Sequence, residues 1–523
     1  MHRLVIALVS LLGLTAAAVV AGYLFLFSAS TDRAAALAPA NSAFYVNVYL
    51  QPSAGQQMNL SGLIGRLPGF ADDASLDEKV DQVVQNLLAG TGVDYREQVK
   101  PWLGNQVAIA GWPGGEGVTD AEPVLIAEVK DPEAARAAVG DLVAEGGAEF
   151  TVETYEGIEI QSSADAAYAF VGEMLVIGPS AETVQPVIDV DRGAESLADQ
   201  AAFIATMDAL EPDHLAAIYL DLAAAAEASG VQDQMTGMST AGAVLVAEQD
   251  GLRLSGSAPV DGGEVTPSAR AGFALGGEPS SLVDWMPEDT IAELVVFGLR
   301  QTLEDAEAAV GSTPEGEELA GTLDTFRALA AFGLGIDLDA DVLPLLDREV
   351  AVAITGFAGE LPSGNLLLRP SDPDAALETL RRLADGLAAI GASSRSESIG
   401  EADVTILTIP DTAEVAYAVI DGIVIMGLGV EDVAAAIEAH ASGRTLGASD
   451  AYTTTFEVAG TRAGNEAYVD VGALMELLGD PVELPSDARD ILSQVGALGM
   501  TAPSRDDRIE FHAVLTVDEP SAD

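Results

Sequence analysis

Hydrophobic and polar positions divide the chain into one long apolar run and a much longer alternating remainder. The run is residues 4–27, LVIALVSLLGLTAAAVVAGYLFLF, 24 residues without a charge behind His2 and Arg3. About 20 apolar residues cross a hydrocarbon core as a helix, whereas the apolar core of a cleaved leader has roughly 7–15. Residues 1–30 therefore read as a cytoplasmic tip and an uncleaved transmembrane signal anchor. Arg3 keeps the N-terminus cytoplasmic, because positive charge stays on that side. The lipid bilayer is the expected partner of residues 4–27, in a single pass. A juxtamembrane linker at 31–38 follows, and the bulk of the chain is expected to be extracytoplasmic.

Past the anchor, the pattern mixes two periods. Residues 43–50 (AFYVNVYL) are rich in β-branched and aromatic side chains, which predicts a strand. Leu76, Val80, Val83, Val84, Leu87 and Leu88 recur at helical spacing, which predicts a helix with one buried face. Residues 107–110 and 124–129 read as strands, and Asp131-Pro132-Glu133 starts a helix. There Asp caps, Pro fits the first turn, and Glu suits the positive helix end. Residues 150–155, 158–161, 167–171 and 174–177 are short strands joined by tight polar turns, so they pair antiparallel. A helix over 181–188, another over 199–209 and a strand over 217–222 follow. A hairpin of 244–248 with 252–257 then turns at Asp250-Gly251, a preferred two-residue turn.

The same order then recurs. Residues 76–110 align without a gap to 319–353, and 167–224 align to 416–473. In the first block Gly92, Asp94, Pro101 and Leu103 meet Gly335, Asp337, Pro344 and Leu346; in the second Tyr168, Gly178 and Asp221 meet Tyr417, Gly427 and Asp470. The period is about 245 residues, long enough for a whole domain. The fold class is therefore α+β: an N-terminal transmembrane helix, then two tandem similar units with mostly antiparallel sheets. Unit one is placed at 39–260, a Gly/Ser/Pro-containing linker at 261–286, unit two at 287–518 and an acidic tail at 519–523.

Charge narrows the function. The chain has 83 acidic and 23 basic residues, a net −60. Phosphate binding needs clustered Lys and Arg, so a nucleic-acid partner is excluded. The acidity fits either solubility through net charge or adaptation to salt, where counterions screen carboxylate repulsion. Cysteine is absent, which removes disulfides, thiolate metal sites and cysteine nucleophiles. The histidines, His2, His214, His440 and His512, are dispersed and give no zinc motif. There is no GxSxG elbow and no GxxxxGK loop. Gly427-Leu428-Gly429 opens like a dinucleotide fingerprint, but the third Gly is Asp432, so it reads as a strand-to-helix turn. No cofactor and no catalytic residue is assigned. Asp337, Asp339 and Asp341 have the spacing of a calcium loop and are weak metal candidates, since Val342 and Arg348 stand where an EF-hand needs Gly and Glu. Asp221 and Asp470 each follow a Tyr-containing strand and are expected to cap the next helix.

One stretch carries a resemblance. Gly92-Val93-Asp94-Tyr95, then Val99-Lys100-Pro101-Trp102-Leu103-Gly104, resembles the hallmark of the DUF3352 proteins, a bacterial family of unknown function. Leu67-Pro68-Gly69 and the opening strand after Pro39 fit the same resemblance, which covers most of 35–518. Asp94, Pro101, Trp102, Leu103 and Gly104 form this signature and are expected to be structural. Unit two departs from it, with Leu343-Pro344-Leu345-Leu346-Asp347. The resemblance implies a membrane-anchored outer protein and no established activity. The expectation is a non-enzymatic binding or scaffold module at the cell envelope, with an unknown protein or apolar ligand as partner. The alternatives are a carrier of a lipid or other apolar ligand and a carboxylate-dependent hydrolase.

Overall fold

Alternating β-branched and aromatic stretches become strands here because each finds an antiparallel neighbour for its backbone and an apolar layer for its inward side chains. A computed structural model of the chain describes residues 32–519 apart from short internal segments, the longest being 68–76, 86–92, 113–121, 225–236, 262–273, 311–324 and 480–491. The expected transmembrane run, 4–27, lies outside the described residues; among those described, no helix is long and apolar enough to cross a membrane. The part of the α+β expectation that the structure carries is thus the mixture of helices with antiparallel sheet. The chain divides into two compact units, Met1–Asp261 and Gly262–Asp523.

Unit one contains β1 (Phe44–Tyr49), β2 (Leu103–Trp112), β3 (Glu122–Val129), β4 (Thr151–Tyr155), β5 (Ile158–Ser162), β6 (Ala167–Val171), β7 (Met174–Gly178), β8 (Ala216–Asp221), β9 (Thr240–Ala247) and β10 (Gly251–Pro259). They line up as β4-β5-β6-β7-β3-β2-β1-β8-β9-β10, antiparallel throughout. Strand β2 is longer than the expected 107–110, because an irregularity between Leu103 and Val107 lets its pairing with β3 run on from Val129. Asp131 caps the helix Pro132–Gly146, accepting from the amides of Glu133 (3.1 Å) and Ala134 (3.0 Å). Helices Ala181–Asp191 and Ala201–Met207 cover one sheet face, with Val184, Val187, Ile188 and Phe203 packing against Tyr45, Ala108, Ile126 and Tyr219.

Unit two contains β11 (Ala292–Phe297), β12 (Glu349–Ala358), β13 (Leu361–Arg369), β14 (Ser393–Ile399), β15 (Ala402–Ile409), β16 (Ala413–Ile420), β17 (Ile423–Gly427), β18 (Asn465–Asp470), β19 (Val495–Ala502), β20 (Ser504–Arg505) and β21 (Arg508–Val517). Their order is β14-β15-β16-β17-β13-β12-β11-β18-β19-β21, again antiparallel, with β20 folded on β21. The two units therefore share one strand order. Even an isolated bridge recurs, Pro39 to Ser196 in one and Pro287 to Thr445 in the other. The inner face of unit two is covered by the turn Leu282–Trp285 and the helices Val430–Ser442 and Asp450–Ala459. Leu282, Val283, Trp285 and Met286, at the end of the stretch read as a linker, are buried in this core.

Candidate functional site

The signature residues come together at the start of β2, and each has a mechanical task. Asp94 caps the one-turn π-helix Tyr95–Val99, its carboxylate accepting from the Glu97 amide at 3.0 Å. Gln98 returns the favour, accepting from the Asp94 amide at 2.7 Å, in the manner of a capping box. Trp102 is buried and its indole Nε1 donates to the Gln98 carbonyl at 2.6 Å, which ties the ring to the turn. Pro101 lies between that turn and the buried Leu103, which begins β2. Gly104 leaves room for a neighbour: a Cβ there would sit 2.6 Å from Cγ of Glu128. Glu128 uses that room to accept from the Asn105 amide (2.9 Å) and to pair with Arg33 (2.6 Å), which also holds Glu173 (2.6 Å). Lys100 binds Asp77 (2.7 Å) and Asp81 (2.6 Å). The stretch is a brace that locks the entry to β2.

The acids with calcium-loop spacing sit at the equivalent turn of unit two, Leu338–Val342. Asp337 caps it, accepting from the amides of Asp339 (3.0 Å) and Ala340 (3.1 Å). Asp339 pairs with Arg327 at 3.1 Å and Asp341 with Arg382 at 2.7 Å. Asp341 also accepts from the Asp337 amide at 2.9 Å, and these bonds hold its carboxyl below the usual range, Arg382 most of all. Among the described residues no group of three or more His, Asp or Glu is arranged to hold a metal ion. Asp221 and Asp470 cap as expected, accepting from Ala224 (2.9 Å) and Ala473 (2.7 Å). Asp432 also turns inward, accepting from the Leu428 amide at 3.1 Å across the glycine turn.

The most unusual chemistry lies elsewhere, on the inner face of the unit-two sheet. Register sets Glu466 of β18 opposite Val295 of β11, and Glu349 of β12 opposite Phe297. Glu293 is two residues before Val295, so all three carboxylates share one face. They are 4% (Glu293), 0% (Glu349) and 1% (Glu466) exposed. Glu349 is fully answered. It pairs with Arg369 at 2.6 Å and accepts from the Ser280 hydroxyl (2.6 Å) and the amides of Ser281 (3.1 Å) and Leu282 (3.3 Å). Glu466 accepts from the Tyr452 hydroxyl through Oε1, while its Oε2 lies 3.4 Å from Arg462 Nε without a hydrogen bond. Neither oxygen of Glu293 has a hydrogen-bond partner among the described residues. Burial pushes the Glu293 carboxyl up to about 8, against a smaller pull from Arg462. Burial, then repulsion from Glu293 and Glu349, pushes Glu466 up to about 9. Arg462 itself donates to the Ser280 carbonyl at 2.7 Å and stacks over the Tyr452 ring at 5.2 Å. Sequence reasoning did not single out any of these residues.

Unit one builds the same frame from neutral groups. Tyr45 stands at the register position of Glu293, since Tyr45 faces Tyr219 as Glu293 faces Tyr468. Ala217 stands for Glu466 and Gln106 for Glu349. Gln106 accepts from the amides of Arg33 (3.2 Å) and Ala34 (3.3 Å), just as Glu349 accepts from Ser281 and Leu282.

No curated protein matches the chain. Solved structures of TP0453 are similar over part of it. Crystal form III matches at 12% identity and a TM-score of 0.27, covering 46% of this chain and 84% of that one. Form I gives 12%, 0.26, 46% and 82%, and form IV gives 12%, 0.25, 43% and 79%. Residues 4–516 match the family described as "Protein of unknown function (DUF3352)", and the chain belongs to that family.

Proposed function

We propose that the protein is a non-enzymatic binding or scaffold module, held at the cell envelope by residues 4–27 with its bulk extracytoplasmic. The observation that carries this reading is the outer face of the unit-two sheet. Val352, Leu294, Ala467 and Met500 lie side by side across β12, β11, β18 and β19, with Ile354, Ala292, Val469 and Leu498 in the next row. Leu294 is 49% exposed, Val352 40%, Leu498 45% and Met500 44%. These two rows carry no charge in a chain of net −60. A contiguous apolar surface of this kind marks binding sites in soluble domains.

The buried carboxylates support the same reading against a hydrolase. A catalytic acid or base must come within hydrogen-bond reach of its substrate, and Glu293, Glu349 and Glu466 are sealed beneath helix Asp450–Ala459 and the turn Leu282–Trp285. The aliphatic character of the two rows favours, as a second reading, carriage of a lipid or other apolar ligand. The test is native mass spectrometry of the full-length protein released from its own membranes in mild detergent. Added polypeptide mass supports the scaffold reading, and added mass of a small apolar molecule supports the carrier reading. Either addition should vanish in Leu294→Asp/Met500→Asp. A bare chain in repeated preparations counts against both.

A further inference from the structure

Among the described residues, three buried carboxylates face two guanidiniums on the inner side of unit two, and only Glu349 has its charge fully met. The groups around Glu293 and Glu466 come from every element packed there. They are Glu349 and Arg369 from β12 and β13, Tyr468 from β18, Tyr452 and Arg462 from the helix and its following loop, and Asp284 from the 3-10 turn acting on Arg462. Of these, only Arg462 stands near enough to Glu466 to offset charge, and burial lowers its own affinity for a proton. An ionised carboxylate sealed without a partner is strongly unfavourable, so such a group takes up a proton instead.

Unit one supplies the internal comparison. The same strands in the same register carry a phenol at Tyr45 and a methyl at Ala217. The frame therefore closes around groups that hold no charge at these two positions. The acid beside Tyr45, the half-buried Asp32, lies outside them and is answered by the Tyr45 hydroxyl (2.5 Å) and the Ala35 amide (2.9 Å).

We propose that Glu293 and Glu466 form a proton-holding pair, so that the folded state of unit two binds at least one proton that its unfolded chain releases. No cofactor or metal enters the step: a water-derived proton adds to one carboxylate oxygen on folding and returns to solvent on unfolding. The folded state then holds more protons than the unfolded one, and unit two loses stability as pH rises from the ordinary carboxylate range through the raised one. Acidification strengthens unit two until the unfolded chain is protonated as well.

The test uses the full-length chain with Trp102→Phe and Trp112→Phe, which leaves Trp285, buried in unit two, as the sole indole. Urea unfolding followed by Trp285 fluorescence should show the folding constant of unit two falling about tenfold per pH unit for each proton held, between about pH 5 and about pH 8. Glu293→Gln/Glu466→Gln should remove that slope. The same pair of substitutions should leave the pH profile of unit one, read from Trp102 and Trp112 in a Trp285→Phe chain, unchanged. A Trp285 profile with the same slope in both proteins overturns the proposal. Should the paired variant not fold, infrared spectra of the parent chain decide. A neutral carboxylic C=O band present at neutral pH and lost on alkalinisation upholds the pair, and its absence overturns it.

Discussion

Removing the Glu349 carboxylate should weaken unit two far more than neutralising it. Glu349→Ala strips a fully buried acceptor from Arg369, from the Ser280 hydroxyl and from the amides of Ser281 and Leu282. Breaking a buried ion pair from one side costs about 3–5 kcal/mol. The newly orphaned amides set the expected loss at the upper end, because each unsatisfied buried donor costs about 1–3 kcal/mol. Glu349→Gln keeps an acceptor oxygen where Gln106 keeps one, and Gln106 serves the same two amide positions in unit one at 3.2 and 3.3 Å. Its cost should come mainly from the lost bond to the Arg369 guanidinium, about 1.5–3 kcal/mol. Replacing Arg369 as well, in Glu349→Gln/Arg369→Met, should recover part of that loss, since exchanging a whole pair for well-packed neutral groups is often nearly neutral. The assay is equilibrium urea unfolding of the full chain followed by Trp285 fluorescence, in the background that carries Trp102→Phe and Trp112→Phe. If Glu349→Ala and Glu349→Gln agree within about 0.5 kcal/mol, the limit for independent effects, the acceptor argument fails.

Further outcomes follow from other parts of the structure. Trp102→Ala should cost about 3–5 kcal/mol as a buried aromatic deletion, whereas Trp102→Phe should lose only the 2.6 Å bond to Gln98, about 1 kcal/mol; circular dichroism melts showing equal midpoints for the two would contradict the brace. Gly464→Ala places a Cβ 2.1 Å from the Ala502 carbonyl at φ +77, while Gly443→Ala meets nothing within 4 Å at φ +74. Both bear left-handed strain of about 1–3 kcal/mol, and only Gly464→Ala should exceed that range in denaturant titrations. With a net charge of −60, melting midpoints should rise between low and molar NaCl as carboxylate repulsion is screened, and a flat response would sink the salt-adaptation reading.

Much of the sheet was legible because short apolar runs bounded by tight polar turns are a local property. Strands β5, β6 and β7 fall within a residue of the positions their sequence pattern predicts, and the Asp131 and Asp470 caps lie where the spacing puts them. Strand β2 outran its prediction because its extra length depends on a neighbour, β3, that local pattern does not see. The buried face was hidden for a different reason. Among 83 acidic residues no single Glu stands out by composition. A signal was nonetheless present: Glu293 in AELVVF and Glu349 in EVAVAI each hold an inward position of an otherwise apolar run. Side-chain alternation puts such a residue on the core side, and an acid on that side must be answered. Asp337, Asp339 and Asp341 show the reverse case, where spacing shared by a calcium loop and a capped turn resolves, in three dimensions, into caps and ion pairs.

The position of the first strand in each unit governs how the chain assembles. Strand β1 is bonded on one side to β2 and on the other to β8, with Phe44 opposite Leu220. Strand β11 is held in the same way, Ala292 facing Val469. Each unit thus begins with its central strand and completes that strand's second flank only near its own C-terminal end. Pairings of such long sequence separation close slowly, because loop entropy is lost before contacts compensate. During synthesis the first unit holds an open sheet edge at β1 until residues 216–221 emerge, and the second repeats that exposure at β11 until 465–470 follow. The interval in which each nascent unit can be captured by a chaperone, or mispair with a neighbouring chain, is therefore written into its strand order.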